Sequence, residues 1–262
     1  MKIALIGTGH MGSWFARELM SDHEVAVYDT EAEKMNRLEG VTRLDGIAEL
    51  DSFKPQLLMN AVSLKHTIPV FEEVGFYIDR SCVIVDIASV KGEIPNYYQR
   101  SPFPFVSIHP MFGPHFANLH QLKDENVIII SESHQNGKAF FQKFFERFNL
   151  KIFEYSFEEH DQLMAYSLTL PFASSIVFSA CVTTNTVPGT TFSRHRQIAQ
   201  KLLLEDDFLL SEVLFNKNSI SQLENIVHRL EFLKHVIRAK DYEEAQKFFN
   251  KLRENLGKNG DD

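Results

Sequence analysis

The chain has 262 residues, which is enough for two domains of ordinary size. Apolar residues make up 44% of it and charged residues 24%, as is typical of a globular protein with a sizeable core. The net charge of −8 argues against nucleic acid and anionic membranes as partners, because both repel an acidic chain.

The two cysteines, Cys82 and Cys181, provide neither the spacing of a zinc site nor a disulfide framework. The apolar run at the N-terminus is short, interrupted by glycines and without a cleavage site, so we expect no signal peptide. We therefore expect a cytoplasmic protein that holds no metal.

Short apolar runs alternate with helical stretches through the first part of the chain. Strands are predicted at Lys2–Ile6, Val25–Tyr28, Leu57–Asn60, Val83–Ile87, Phe105–Ile108 and Val127–Ile130, and helices at Ser13–Met20 and Gly137–Phe148. Most of these strands are continuously apolar, which is typical of strands buried on both faces of a parallel sheet. The alternation predicts a Rossmann-type, doubly wound α/β domain with a mainly parallel sheet.

The first predicted strand runs into a glycine-rich turn, Gly7-Thr8-Gly9-His10-Met11-Gly12. Gly7 permits a tight turn, Gly9 lets the backbone approach a pyrophosphate, and Gly12 permits close packing of helix and strand. The helix that follows offers free N–H groups to phosphates. The whole turn, with His10 and Met11, is therefore predicted to bind a dinucleotide; the alternative is a structural turn with no ligand.

Asp29 ends the second predicted strand. Its carboxylate can accept hydrogen bonds from the ribose hydroxyls of a dinucleotide and would repel a 2′-phosphate. The next residue is Thr30 rather than an arginine. The predicted cofactor is therefore NAD rather than NADP.

Two later segments also leave the carboxyl ends of predicted strands, where open α/β sheets bind ligands. Val85–Gly92 places Ser89 and Lys91 near the nicotinamide, although Lys91 could equally be a solvated loop lysine. His109–Pro114 has a backbone restricted by two prolines, and His109 is suited to acid–base chemistry near neutral pH. The alternative for His109 is a strand-end histidine that bonds only to backbone.

The pattern becomes helical after residue 154. Ser156 and Glu159 form a capping box that begins a helix, and His160 lies in its first turn. The positive end of the helix favours a neutral imidazole, and the residues alone suggest a capping or surface position for His160. We predict an NAD-binding domain over residues 1–154 and a helical domain over residues 155–262.

The helical domain contains one cluster of cations and one apolar stripe. Arg194 and Arg196 flank His195 and could bind an anionic substrate, or simply form an exposed basic turn. The stripe consists of Ile220, Leu223, Val227, Leu230 and Ile237 at steps of three and four, with Lys234 in the remaining place. Such a stripe faces either the core of a helical bundle or a second copy of the chain.

Four segments together resemble the prephenate dehydrogenase family, and most closely the dehydrogenase half of bacterial chorismate mutase/prephenate dehydrogenases. They are the GxGxxG turn, VDIASVKG, HPMFGP and EHDQLMAY, in the family's order and spacing over nearly the whole chain. The resemblance implies a Rossmann-type domain followed by a helical dimerisation domain, in a homodimer. It implies NAD-dependent oxidative decarboxylation of prephenate to 4-hydroxyphenylpyruvate, on the route to tyrosine.

The resemblance also assigns roles to individual residues. His109 matches the catalytic histidine, Ser89 its hydrogen-bonding partner, and His160 a histidine of the substrate domain, which is therefore expected to bind substrate. Arg194 is the expected ligand of a substrate carboxylate, with Arg196 as the alternative register. Lys91 joins the predicted substrate-binding residues through its placement after the strand.

The sequence departs from the family at Phe172, where a second histidine is common. We expect neither a mutase domain nor a regulatory domain on the chain. The alternatives are an arogenate dehydrogenase, a β-hydroxyacid dehydrogenase, for which the helical part offers no convincing catalytic lysine, and a non-catalytic NAD-binding regulator of the same fold.

Overall fold

The computed structural model of the chain describes residues 1–112, 122, 125–183 and 187–257. Within these residues, eight strands form one sheet in the order β3-β2-β1-β4-β5-β6-β7-β8. The strands are β1 (Lys2–Ile6), β2 (Glu24–Tyr28), β3 (Thr42–Arg43), β4 (Leu57–Asn60), β5 (Val83–Asp86), β6 (Phe105–Pro110), β7 (Asn126–Ile130) and β8 (Lys151–Tyr155). All neighbouring pairs are parallel except β6 and β7.

Helices lie between the strands and follow the last strand of the sheet. Those of the sheet region are α1 (His10–Leu19), α2 (Ala32–Met35), α3 (Leu50–Phe53), α4 (Leu64–Val74), α5 (Ile94–Arg100) and α6 (Gln135–Glu146). Those that follow are α7 (Phe157–Ser167), α8 (Thr169–Cys181), α9 (Thr190–Leu202), α10 (Asp207–Leu214), α11 (Ser219–Ala239) and α12 (Tyr242–Gly257).

The central strands are continuously apolar because helices cover both faces of the sheet. Successive side chains of a strand point to opposite faces. Ile3 and Leu5 of β1 accordingly join one core with Phe15 and Phe145, whereas Ala4 of the same strand joins a second core on the other face. The sequence-based prediction of a Rossmann-type, mainly parallel sheet is confirmed.

The predicted elements agree with the structure except at their ends, and two strands of the sheet, β3 and β8, were not predicted. β6 continues for two residues beyond its predicted end, so that His109 lies within the strand. β3 was not predicted, because its two residues are both exposed and form no apolar run. It is held at the sheet edge by pairing with β2.

The chain divides into two compact units. The sheet unit comprises Met1–Met164 and Leu203–Asn216, and the helical unit comprises Ala165–Leu202 and Lys217–Asp262. The sheet unit therefore includes the first turns of α7, which lie beyond the predicted boundary at residues 154 and 155, and also α10.

The apolar stripe of the helical unit lies on α11, as its spacing predicts. Its members are exposed by 41–65%, the least being Leu223 and the most Ile237. The expectation that the stripe faces the core of the bundle is therefore wrong within this chain. The stripe forms an unburied apolar face, which agrees with the alternative of a surface for a second copy.

Candidate active site

The glycine-rich turn lies at the carboxyl end of β1, and its shape requires two of its glycines. Gly7 has a φ of +91°, and a Cβ on it would lie 2.8 Å from the backbone of Ala61. A Cβ on Gly12 would lie 2.0 Å from the carbonyl oxygen of Gly7. Gly9 has open space where a side chain would be, which leaves room for a phosphate to approach the backbone.

A cavity of about 660 Å³ lies beside this turn. Gly7, Gly9 and Asp29 line it, together with the start of α4 at Ser63 and His66. It is large enough for a small-molecule ligand. The predicted cofactor residues Gly7, Gly9 and Asp29 therefore come together around one cavity, whereas His10 and Met11 do not line it.

Asp29 is held in a fixed orientation at the rim of the cavity. One of its oxygens accepts hydrogen bonds from the amide (2.7 Å) and the hydroxyl (3.0 Å) of Thr8, and the other accepts from the amide of Glu31 at 2.9 Å. Burial raises the pKa of Asp29, but the hydrogen bonds from Glu31 and Thr8 together outweigh it and leave the pKa below its ordinary value. Asp29 is thus a preoriented anion.

The nearby cation Lys34 also lines this cavity, but its ammonium pairs with Glu31 at 2.6 Å. Because Glu31 neutralises the charge of Lys34, the surroundings of Asp29 suit ribose hydroxyls better than a 2′-phosphate.

His109 lies near the carboxyl end of β6, where it pairs across the sheet with Ile128 of β7. It is only 6% exposed, and its Nδ1 lies 3.1 Å from Nε2 of His160. Burial lowers the pKa of His109 well below 6.5, and electrostatic interactions with His160 and with the ammonium of Lys91 lower it further. His109 is therefore neutral near pH 7, as a general base must be. Of the segment that follows it, Gly113 and Pro114 lie outside the described residues.

His160 is fully buried, so the surface or capping position suggested by the residues is wrong. The predicted capping box is present: the amide of Ser156 donates to the Glu159 carboxylate at 2.7 Å, and the amide of Glu159 donates to the Ser156 hydroxyl at 3.2 Å. Burial lowers the pKa of His160, against an opposing effect of Asp161. Burial thus favours the neutral form of His160.

Lys91 differs most from its predicted position. It is fully buried, and its ammonium donates to Asp86 at 2.7 Å and to the carbonyl of Ile108 at 2.9 Å. Burial lowers the pKa of Lys91, and Asp86 opposes this effect. A substrate would need an accessible ammonium, so the structure corrects the prediction that Lys91 binds substrate: Lys91 links Asp86 of β5 to Ile108 of β6.

Two members of this buried network were missed in the sequence. Asp86 accepts hydrogen bonds from Lys91 and, at 2.8 Å, from the hydroxyl of Tyr98 on α5. Asp86 could have been recognised as an acidic residue that ends an otherwise apolar strand. Tyr98 carries no sequence signal, because its contact depends on the packing of α5 against β5.

Ser89 is half-buried in the loop after β5. The structure describes both Ser89 and His109, and no hydrogen bond joins them. The structure instead supplies His160 as the partner of His109.

Arg194 and Arg196 are exposed and lie on α9 of the helical unit, not on a turn. Phe172 is half-buried on α8 of the same unit. Among the described residues, no group of three or more His, Cys, Asp or Glu side chains could hold a metal ion.

The sequence matches known proteins over much of its length. The family described as the nucleotide-binding domain of prephenate dehydrogenase matches residues 14–152, which is more than half of the chain. A Methanocaldococcus jannaschii protein described as a probable arogenate/prephenate dehydrogenase is 29% identical over 175 residues, or 63% of this chain. The match covers only 38% of that relative's length.

Solved structures share the fold. Prephenate dehydrogenase from A. aeolicus, in complex with hydroxyphenyl propionate and NAD+, gives a TM-score of 0.84 at 19% identity, over 98% of both chains. Synechocystis arogenate dehydrogenase gives a TM-score of 0.78 at 16% identity, over 98% of this chain and 99% of that one.

The buried ion pair generates a stability prediction. Lys91→Met leaves the Asp86 carboxylate buried without its counter-charge, which costs about 3–5 kcal/mol of unfolding free energy in such pairs. The double variant Lys91→Met/Asp86→Asn removes both charges and should recover part of this loss. Urea unfolding measures both variants, and a Lys91→Met variant as stable as the unmodified chain would contradict the ion pair.

Proposed function

The chain belongs to the prephenate dehydrogenase family, and on that premise we propose that it catalyses the NAD-dependent oxidative decarboxylation of prephenate to 4-hydroxyphenylpyruvate. The observation that carries the proposal is a neutral, buried His109 near the carboxyl end of β6. The turn at the end of β1 lies at the same edge of the sheet, because β1, β4, β5 and β6 are parallel.

The chemistry requires one base. The ring of prephenate carries a hydroxyl group and, opposite it, a carboxylate. His109 accepts the hydroxyl proton as the C4 hydride leaves, and loss of CO2 then makes the ring aromatic. NAD, when bound, takes up the hydride.

Arogenate is the second candidate substrate, since it has the same ring with an amino-acid side chain. The M. jannaschii relative is described by both activities, and the Synechocystis structure is an arogenate dehydrogenase. The test is NADH formation by the purified chain with each substrate in turn. We expect a higher kcat/KM with prephenate; a higher value with arogenate would favour the alternative, and no NADH with either would reject the dehydrogenase.

His109→Asn should lower kcat by about 10²–10⁴-fold, because the variant keeps a polar side chain but loses the base. The acidic limb of the kcat profile should vanish, since its cause is protonation of His109. His134→Asn is the control, because His134 is exposed and its side chain makes no cap hydrogen bond. Near-normal kcat in His109→Asn would place the base elsewhere.

Asp29 supports NAD as the cofactor, and its replacement tests that choice. Asp29→Ala removes an acceptor for the ribose hydroxyls, and a hydrogen bond to a charged group is worth about 1.5–3 kcal/mol. We expect kcat/KM for NAD to fall by about 10- to 100-fold and discrimination against NADP to narrow. Glu33→Ala, on the exposed side of α2, is the control. Equal use of both cofactors by the unmodified chain would argue against the role of Asp29.

Arg194 is our proposed ligand for a substrate carboxylate, because an arginine binds a carboxylate through two hydrogen bonds. Loss of such a pair costs about 2–5 kcal/mol, so Arg194→Ala should raise the KM for prephenate steeply and leave NAD binding intact. Arg196→Ala is the matched variant on the same helix. If only Arg196→Ala raises the KM, the arginine that binds the carboxylate is Arg196 and our choice of Arg194 is wrong.

A homodimer is proposed to cover the apolar stripe of α11, since contiguous exposed apolar surface marks an interaction site. Light scattering should give twice the chain mass. Val227→Lys, within the stripe, should shift the protein towards monomer, whereas His228→Lys, also exposed on α11, should not. A monomer at all concentrations of the unmodified chain would reject this assembly.

A further inference from the structure

A direct contact joins two buried histidines at the end of β6. Nδ1 of His109 lies 3.1 Å from Nε2 of His160, and the ring planes are inclined by 67°. Two neutral imidazoles share a single proton across such a hydrogen bond, so that one ring donates and the other accepts. Which ring donates decides whether His109 can act as a base.

The proton has two arrangements. If Nδ1 of His109 donates, Nε2 of His109 keeps its lone pair and can accept a proton, while Nδ1 of His160 carries a hydrogen. If Nε2 of His160 donates instead, Nε2 of His109 carries the hydrogen and His109 has no free lone pair. Only the first arrangement makes His109 a base.

Asp161 selects between these arrangements. Its carboxylate lies 3.6 Å from Nδ1 of His160, which is too far for a good hydrogen bond but close for an electrostatic interaction. Nδ1 of His160 is buried and has no hydrogen-bond partner among the described residues. The carboxylate attracts a protonated Nδ1 and repels a bare lone pair, and so favours the arrangement in which His109 donates.

We propose, on the basis of the function proposed above, that His160 is a positioning residue: its Nε2 accepts the Nδ1 hydrogen of His109 and fixes the tautomer that can act as a base, while Asp161 fixes the tautomer of His160. An aspartate holds a catalytic histidine in the Ser-His-Asp triad by the same logic. Here a second histidine stands between the base and the carboxylate.

This role differs from substrate binding, which the family resemblance implies for His160. Nε2 of His160 is engaged by His109, and Nδ1 is inaccessible to solvent. His160 therefore has no polar atom left to offer a substrate. Burial lowers the pKa of both rings, so both are neutral near pH 7 and the single shared proton is the relevant state.

The first turn of α7 is anchored so that His160 can reach His109. The ring of Phe157 packs on Phe105 of β6 with centroids 6.1 Å apart, and its amide donates to Glu132 at 3.1 Å. The side-chain amide of Asn216 donates to the carbonyl of Asp161 at 3.0 Å. These contacts fix the helix start independently of the two imidazoles, so a substitution at His160 should leave the fold in place.

The first test reads the tautomer directly in the unmodified protein without substrate. Ring 15N chemical shifts of histidine distinguish an Nδ1 hydrogen from an Nε2 hydrogen, and the His109→Asn spectrum assigns the His109 signals. We expect the Nδ1–H form of His109 and the Nδ1–H form of His160 at neutral pH. The Nε2–H form of His109 would overturn the proposal.

The second test uses two variants of matched length. Gln keeps an acceptor at about the reach of the imidazole Nε2, whereas Met has similar size and no such acceptor. His160→Met should lower kcat by about 10- to 100-fold, which is part of the rate enhancement that a general base provides. The KM for prephenate should be nearly unchanged. His160→Gln should retain most of the kcat. Equal losses in both variants, or a loss confined to KM, would overturn the positioning role.

Asp161→Asn provides a milder variant, because this side chain is 22% exposed and tolerates a change of charge. It should lower the Nδ1–H population of His109 and reduce kcat with little effect on KM; an unchanged tautomer would remove Asp161 from the proposal. The tests distinguish failure of the proposed function from failure of the positioning role of His160. Nδ1–H at His109 without NADH formation rejects the proposed function alone, whereas NADH formation with Nε2–H at His109 rejects the positioning role alone.

Discussion

The fully buried ion pair of Asp86 and Lys91 is the constraint on which the site depends. Two charges removed from water destabilise a protein unless their hydrogen-bonding capacity is met inside it. Asp86 is satisfied by Lys91, by the hydroxyl of Tyr98 and by the amide of Ala88. Lys91 in turn donates to the carbonyl of Ile108, one residue before His109. The ends of β5 and β6 can therefore pack in few ways, and His109 inherits a fixed position.

The same ion pair acts on the chemistry. The positive charge of Lys91 lies near His109 and disfavours its imidazolium form, in addition to burial. The carboxylate of Asp161 lies on the far side of His160 and favours a hydrogen on the facing nitrogen. His109 is neutral before the reaction and positively charged after it. It thus lies near a cation, Lys91, and is linked through the ring of His160 to an anion, Asp161. The sheet unit carries this base and the dinucleotide turn, whereas Arg194 belongs to the helical unit.

Local patterns in the sequence predicted the sheet, the glycine-rich turn, Asp29 and the capping box, because each rests on residues close together in the chain. They did not predict the contact between His109 and His160, which are 51 residues apart, or the burial of Lys91. Both depend on how α7 and the loop after β5 pack on the sheet. The stripe on α11 shows what a local pattern cannot decide. Its period predicts a helix, but the period is the same whether the apolar face packs in a core or is exposed.

The central claim is that His109 is a neutral, buried base, and its ring titration tests this most directly. NMR signals of the His109 ring can be followed in the free protein as the pH falls from about 8 through 6.5, the ordinary pKa of histidine. We expect His109 to stay neutral through this range. Protonation of His109 at or above pH 6.5 would contradict the account.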